Sequence, residues 1–222
     1  MIHLTPRQQM AADLIRPGRP LADIGTDHAQ LPAALLQQGL IPFAWCMDVR
    51  KGPLENARAT IEACGLTDRT ELILCNGFTG LPPGTCHDFV VAGMGGVLTV
   101  SLFEAAPWLK DPENHFVLQP QSHLEELRRY LYENGYKILQ ETAVLDHHRP
   151  YTAMEVVYTG EIIPFTTADC YLGKMPELAD RELRERYLQS IAHYLEDQIR
   201  GGCPEQEELR GVLQIMKGHL AE

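Results

Sequence analysis

From residue 20 onward, short apolar runs alternate with longer stretches in which apolar residues recur every three or four positions. The runs at 21–25, 43–49, 71–75, 88–92 and 115–119 are bounded by Gly, Pro, Asn or Asp and predict strands. The intervening stretches, 31–38, 52–64, 97–108 and 122–134, carry helical spacing. Ahead of them, Thr5 and Pro6 read as an N-cap and a helix-starting proline. Met10, Leu14 and Ile15 then share one face until Pro17 and Gly18 stop the helix. After Gly135 the helical pattern gives way to two long strand-like runs, 136–145 and 151–158, joined by the polar turn 146–150.

Alternating strands and helices imply a parallel sheet covered on both faces, with right-handed crossovers. Two consecutive strands at its end imply an antiparallel closure. Seven strands in this order predict an α/β fold, the class I methyltransferase variant of the doubly wound, Rossmann-like sheet. A break at 160–164 divides the chain into a first domain, 1–160, and a small helical one, 161–222. The latter holds two amphipathic helices, 177–200 and 204–220, separated by Gly201, Gly202 and Cys203. Leu183, Tyr187, Ser190, Ile191, Tyr194, Leu195 and Ile199 form the stripe of the first, and Leu209, Val212, Leu213 and Met216 that of the second. That hairpin must bury its stripe on the main domain, on a second copy or on a ligand, so the expected state is a monomer or a weak homodimer through the tail.

Composition narrows the choice. The 222 residues are 45% hydrophobic and 22% charged, as in an ordinary globular protein. No apolar run is long enough to span a bilayer and the N-terminus has no apolar signal core, so the expected location is the cytoplasm, away from membranes. Six cysteines show neither C-x-x-C pairing nor a companion His at zinc-like spacing, which predicts neither disulfides nor metal. The net charge of −11 argues against nucleic-acid binding by bulk electrostatics. Neither part is basic, with 12 basic against 18 acidic residues up to residue 160 and 7 against 12 beyond it. A polyanionic partner must therefore meet a clustered minority of basic residues.

Candidate chemistry concentrates where the strands end. The segment Asp23-Ile24-Gly25-Thr26-Asp27-His28 turns from the first strand into a helix, at the edge where open parallel sheets bind ligands. It has one glycine where a dinucleotide fingerprint needs three, and its paired carboxylates would repel phosphate. A cationic ligand fits better: S-adenosylmethionine carries a sulfonium and an ammonium, with Asp23 near its amino acid portion. Asp48 ends the second strand 25 residues later and suits the two ribose hydroxyls of the same ligand. Asn76 can pair with an adenine edge while Gly77 lets the backbone approach. Gly93, Met94, Gly95 and Gly96 form a glycine-rich turn that something must approach closely. Gly25, Thr26, His28, Val49, Gly93 and Met94 complete the expected donor site. Gly95, Gly96, Gln119 and Pro120 are candidates for the acceptor side.

The segments LADIGTDHAQLP, MDVRKGPLENA, CNGF, DFVVAGMGG, LQPQ and RPYTAMEVVY resemble the TrmK family of bacterial tRNA (adenine-N1)-methyltransferases, in order, over about residues 4 to 160. The helical tail matches that family in architecture. The chain differs from the family pattern in Gln30 after GTDHA, in Gln121 closing LQPQ, and in Asp rather than Glu at position 48. The resemblance implies S-adenosylmethionine-dependent methylation of adenine N1 at position 22, in the D-arm region. Attack by the N1 lone pair needs no prior deprotonation, and Asp27 becomes the candidate catalytic carboxylate, stabilising the purinium cation as it forms. Its rival roles are capping of the following helix and donor binding. The implied tRNA would meet Arg7, Arg50 and Lys51, with Arg16, Arg19 and Arg58 on the same rim and Arg181, Arg184 and Arg186 on the tail. Two other readings keep the fold: a methyltransferase acting on a small molecule or protein, and an inactive binding module.

Overall fold

The computed structural model describes residues 2–221. Its core is a seven-stranded sheet built from β1 (Leu21–Ile24), β2 (Ala44–Asp48), β3 (Thr70–Leu74), β4 (Asp88–Ala92), β5 (His115–Gln119), β6 (Tyr136–Asp146) and β7 (Arg149–Tyr158). The spatial order is β3-β2-β1-β4-β5-β7-β6, parallel except for β7, which runs antiparallel between β5 and β6. The order reverses between β1 and β4, so a crevice opens there at the carboxyl ends of the strands.

Helices cover both faces: α1 (Pro6–Ala12), α2 (Gln30–Gln37), α3 (Lys51–Ala63), α4 (Gly96–Glu104) and α5 (Leu124–Glu133). Two apolar layers result. Phe78, Phe89, Phe103, Phe116 and Tyr136 anchor one, and Leu21, Leu35, Leu36, Ile41 and Ile61 the other. This two-sided burial is why β1, β4 and β5 read as unbroken apolar runs rather than alternating ones. Thr5 caps α1, and its partner Gln8 completes a capping box. The β6–β7 connection is tighter than the five-residue turn expected. His147 and His148 alone make it, both at positive φ (47° and 65°), as the favoured two-residue hairpin turn requires.

Beyond Gly160 the chain adds α6 (Thr167–Leu172), which periodicity did not reveal, then α7 (Arg181–Arg200) and α8 (Gln206–Ala221). Helix α7 starts later than 177 because Asp180 caps it, accepting from the Leu183 amide at 3.0 Å. The stripe holds with one exchange: Leu188 is buried in it, whereas Ser190 is exposed and bonds back to the Tyr187 carbonyl. Tyr187, Leu195, Leu209, Val212 and Met216 close on each other and on Ala143 of β6.

An ionic hub ties this tail to the sheet. Arg128 of α5 and Glu141 of β6 are both fully buried, 2.6 Å apart. The same guanidinium donates to the carbonyls of Cys170 and Tyr171 and to the Tyr187 hydroxyl, while Glu141 accepts from the Lys174 amide. Breaking a buried pair strands one charge, at a cost of about 3–5 kcal/mol. Arg128→Met therefore lowers the thermal midpoint by roughly 10 °C, which calorimetry would detect. Among the described residues no helix is long and apolar enough to cross a membrane, and no group of three His, Cys, Asp or Glu side chains is placed to hold a metal.

Candidate active site

A cavity of about 720 Å³ lies at the carboxyl ends of β1, β2, β4 and β5, within the usual range for small-ligand sites. Its lining includes Asp23, Gly25, Thr26, Asp27, His28, Asp48, Val49, Asn76, Gly77, Gly93 and Met94. The candidate donor-site residues thus come from four separate strand ends, those of β1 to β4, into one wall. Gly95, Gln119, Arg7 and Arg50 border the same space.

Asp23 is the most perturbed carboxylate there. It is 5% exposed and accepts a hydrogen bond from the Thr26 hydroxyl at 2.7 Å. Burial pushes its carboxyl up to about 6; the Thr26 hydroxyl pulls it partly back, and the charge of Asp48 raises it further. Neither a Lys nor an Arg pairs with it among the described residues. Asp48 is also buried, and one of its oxygens accepts from the Arg50 amide at 2.9 Å. The other oxygen has no protein partner among the described residues.

The turn after β1 is unusually bent. Gly25, Asp27 and Ala29 all have positive φ (77°, 51° and 51°), two of them without the glycine that tolerates it at no cost. A Cβ at Gly25 would meet only the flexible methyl end of Met94, so it is the positive φ that calls for glycine here. Asp27 does not cap α2: Ala29 holds that position, and no side chain bonds the first amides. Its carboxylate stands 61% exposed at the cavity wall, with His28 3.6 Å away. The capping role is thereby removed.

Two expectations are corrected. Gly96 does not face the cavity: it is buried, its amide donates to the Ser122 carbonyl at 2.7 Å, and a Cβ would strike the His123 carbonyl. Its small size serves backbone-to-backbone packing of α4 against the loop before α5. Gly96→Ala is expected to cost about 1–3 kcal/mol as overpacking, read as a lower unfolding midpoint in urea. Pro120 is buried and outside the lining, whereas Lys51 is exposed at the start of α3, beside Arg50 of the lining.

The basic candidates also divide. Arg16 is locked to Asp88 by bonds of 2.6 and 2.8 Å at the amino end of β4, and Arg19 precedes β1, so both sit at the edge away from the cavity. On the tail, Arg181 and Arg186 pair with Glu185 and Glu182, and Arg184 donates to the Leu178 carbonyl. Arg58 borders a separate shallow depression beside β3. Sequence reading missed Thr5, Gln8 and Gln30 as lining residues, although the capping box visible as Thr5-x-x-Gln8 marks where α1 begins. Gln8 donates to Gln30 at 3.2 Å across the mouth. The exposed apolar Leu98 and the buried Leu102 of α4 line the wall as well, with no local signal to distinguish them from core.

Comparison with known proteins agrees with this geometry. Residues 4–154 match the family described as Methyltransferase domain. The tRNA (adenine(22)-N(1))-methyltransferase of Bacillus subtilis (strain 168) is 28% identical over 153 residues, 69% of this chain and 64% of that protein, so the match spans less than two thirds of it. The "Putative tRNA methyltransferase" of Mycoplasma pneumoniae is 30% identical over 189 residues, covering 81% of this chain and 84% of that one. Among solved structures, that of Streptococcus pneumoniae Sp1610, a "putative tRNA (m1A22) methyltransferase" in complex with S-adenosyl-L-methionine, superposes with a TM-score of 0.85 at 26% identity, over 98% of this chain and 100% of that one. The chain belongs to the methyltransferase-domain family.

Proposed function

We propose that this protein methylates N1 of an unpaired adenine in tRNA, at position 22, using S-adenosylmethionine. The observation that carries the reading is Asp23: a buried carboxylate, raised to about 6, lining the cavity with no cation beside it. A cationic ligand relieves that desolvated charge, whereas an anionic cofactor would worsen it. The free oxygen of Asp48 suits ribose hydroxyls, and the Asn76 side chain, exposed at the wall and uninvolved in capping, suits an adenine edge. The residues present therefore fit the donor.

S-adenosylmethionine supplies an electrophilic methyl group. Asp23 and Asp48 hold the donor end of the cavity, and Gly25, Gly77 and Gly93 keep side chains out of its wall. Asp27 sits where it can face the purine; its carboxylate stabilises the positive charge that N1 methylation leaves on the ring and can accept from the exocyclic amino group. Because N1 lies on the Watson–Crick edge, the base has to leave its stack to reach this wall. Gly95, Gln119, Arg7 and Arg50 are the side of the cavity assigned to the incoming nucleotide.

The test is a pair of unmodified tRNA transcripts that differ only in adenine or guanine at position 22, incubated with methyl-labelled donor. Label is expected in the adenine transcript alone. Equal labelling of both, or of neither, contradicts the assignment.

A further inference from the structure

The β6–β7 hairpin reaches past the rest of the sheet. The last pairing of β7 with β5 joins Leu118 to Met154, while β7 begins at Arg149. Residues 149–153 therefore have no partner in β5, and at the rise of a strand they project roughly 15 Å beyond its end. The projection is at the carboxyl edge, the edge that carries the cavity. Helix α1 braces it: Arg7 lies 3.5 Å from Asp146 and stacks over the Tyr151 ring at 5.4 Å, while also lining the cavity. The hairpin tip and the cavity mouth thus share one residue.

What the tip presents is hydrogen-bonding imidazole and one fixed positive charge, that of Arg149. His147, His148 and Arg149 are all exposed, His147 with 96% of its side chain in solvent. The one carboxylate at the tip, Asp146, is buried, with one oxygen 3.5 Å from Arg7 and the other 3.7 Å from the His147 ring. The two imidazoles occupy positive-φ positions where Asn-Gly would serve the turn better, so the turn itself does not call for histidine. Arg16 at the amino edge and Arg181, Arg186 and Arg200 on the tail are paired with carboxylates, whereas His148 and Arg149 at this tip have no carboxylate partner among the described residues, in a protein of net charge −11.

We propose that the β6–β7 hairpin tip is a tRNA-binding finger, in which Arg149, His147 and His148 grip the sugar-phosphate backbone next to the nucleotide delivered to the cavity. The inference rests on the tRNA reading above and adds the surface that recognises the partner. Phosphate contacts of this kind fix position without reading sequence.

The experiment compares the wild-type protein with a triple variant, His147→Asn, His148→Gly and Arg149→Gln. Asn-Gly favours the two-residue turn, so the hairpin is retained while its donors are removed. An unmodified tRNA transcript is titrated at several salt concentrations, and S-adenosylhomocysteine is titrated separately. The expected result is tRNA binding weakened about 5- to 30-fold and a salt slope shallower by about 1, with S-adenosylhomocysteine affinity and the thermal midpoint unchanged. Arg149→Lys, which keeps the charge, is expected to retain most of the affinity. Unchanged tRNA affinity and salt slope in the triple variant overturn the finger alone. A wild-type protein that neither binds nor methylates tRNA overturns the finger together with the function it rests on.

Discussion

Asp27→Ala is expected to lower the rate of methyl transfer by about 10²–10³-fold, the scale of losing one charge-stabilising group in a preorganised site, while donor affinity stays within about tenfold. The separation follows from the placement of Asp27. Its carboxylate is exposed at the cavity wall, it caps no helix, and the His28 ring stands 3.6 Å away. Nothing structural is lost with it. Removing the side chain at a positive φ does not add strain, and Asp27→Gly should relieve some, for a gain of roughly 1 kcal/mol. Single-turnover kinetics with saturating tRNA, paired with calorimetric titration of the donor, measure the two quantities separately. A complete loss of donor binding would make Asp27 a donor ligand instead of a catalytic group.

The second large effect has opposite signs for binding and for stability. Asp23 is buried, and its carboxyl rises from 3.8 in its ordinary state to about 6. Between those values the folded protein holds a proton that the unfolded chain has released. The stabilising contribution of this proton is present below about 3.8 and is lost as pH rises through about 6. At neutral pH the free protein therefore carries a penalty of roughly 3 kcal/mol at this one carboxylate. Asp23→Asn retains an acceptor for Thr26 and removes the charge. Its thermal midpoint should rise by several degrees at pH 7.5, with the advantage fading toward pH 4. Donor binding should fall by two orders of magnitude or more, since a buried charge pair is removed. For the wild type, donor affinity should weaken as pH falls through about 6, because the protonated acid no longer attracts a cation. If Asp23→Asn melted below the wild type at pH 7.5, the carboxylate would be structural rather than a binding charge held at a cost.

Much of this architecture is legible in the chain because two-sided burial leaves a strong mark. The runs at 88–92 and 115–119 coincide with β4 and β5, and the other strand boundaries differ by a residue or two. The chemistry at the strand ends was legible for a related reason. Asp23, Asp48 and Asn76 break apolar runs at the one edge where an α/β sheet binds ligands, so their types and positions both carry information. Gly96 was misassigned because a glycine required by a neighbouring backbone looks the same in sequence as one required by a ligand. The difference lies in the His123 carbonyl, 27 residues away. The arginines were over-assigned because pairing is invisible: Asp88 neutralises Arg16 from 72 residues away. Helix α6 escaped notice because six residues hold too little periodicity. Its place is set instead by a capping box and by the Arg128 guanidinium on its last carbonyls.

The reaction assigned here differs from other adenine methylations in the atom that receives the methyl group. The most direct measurement is to incubate the wild-type protein with S-adenosylmethionine and an unmodified tRNA carrying adenine at position 22, digest the product at neutral pH, and identify the methylated nucleoside by liquid chromatography and mass spectrometry. The account predicts 1-methyladenosine, at most one per tRNA. N6-methyladenosine formed directly, methylation of another base, or no methylated nucleoside at all would contradict it.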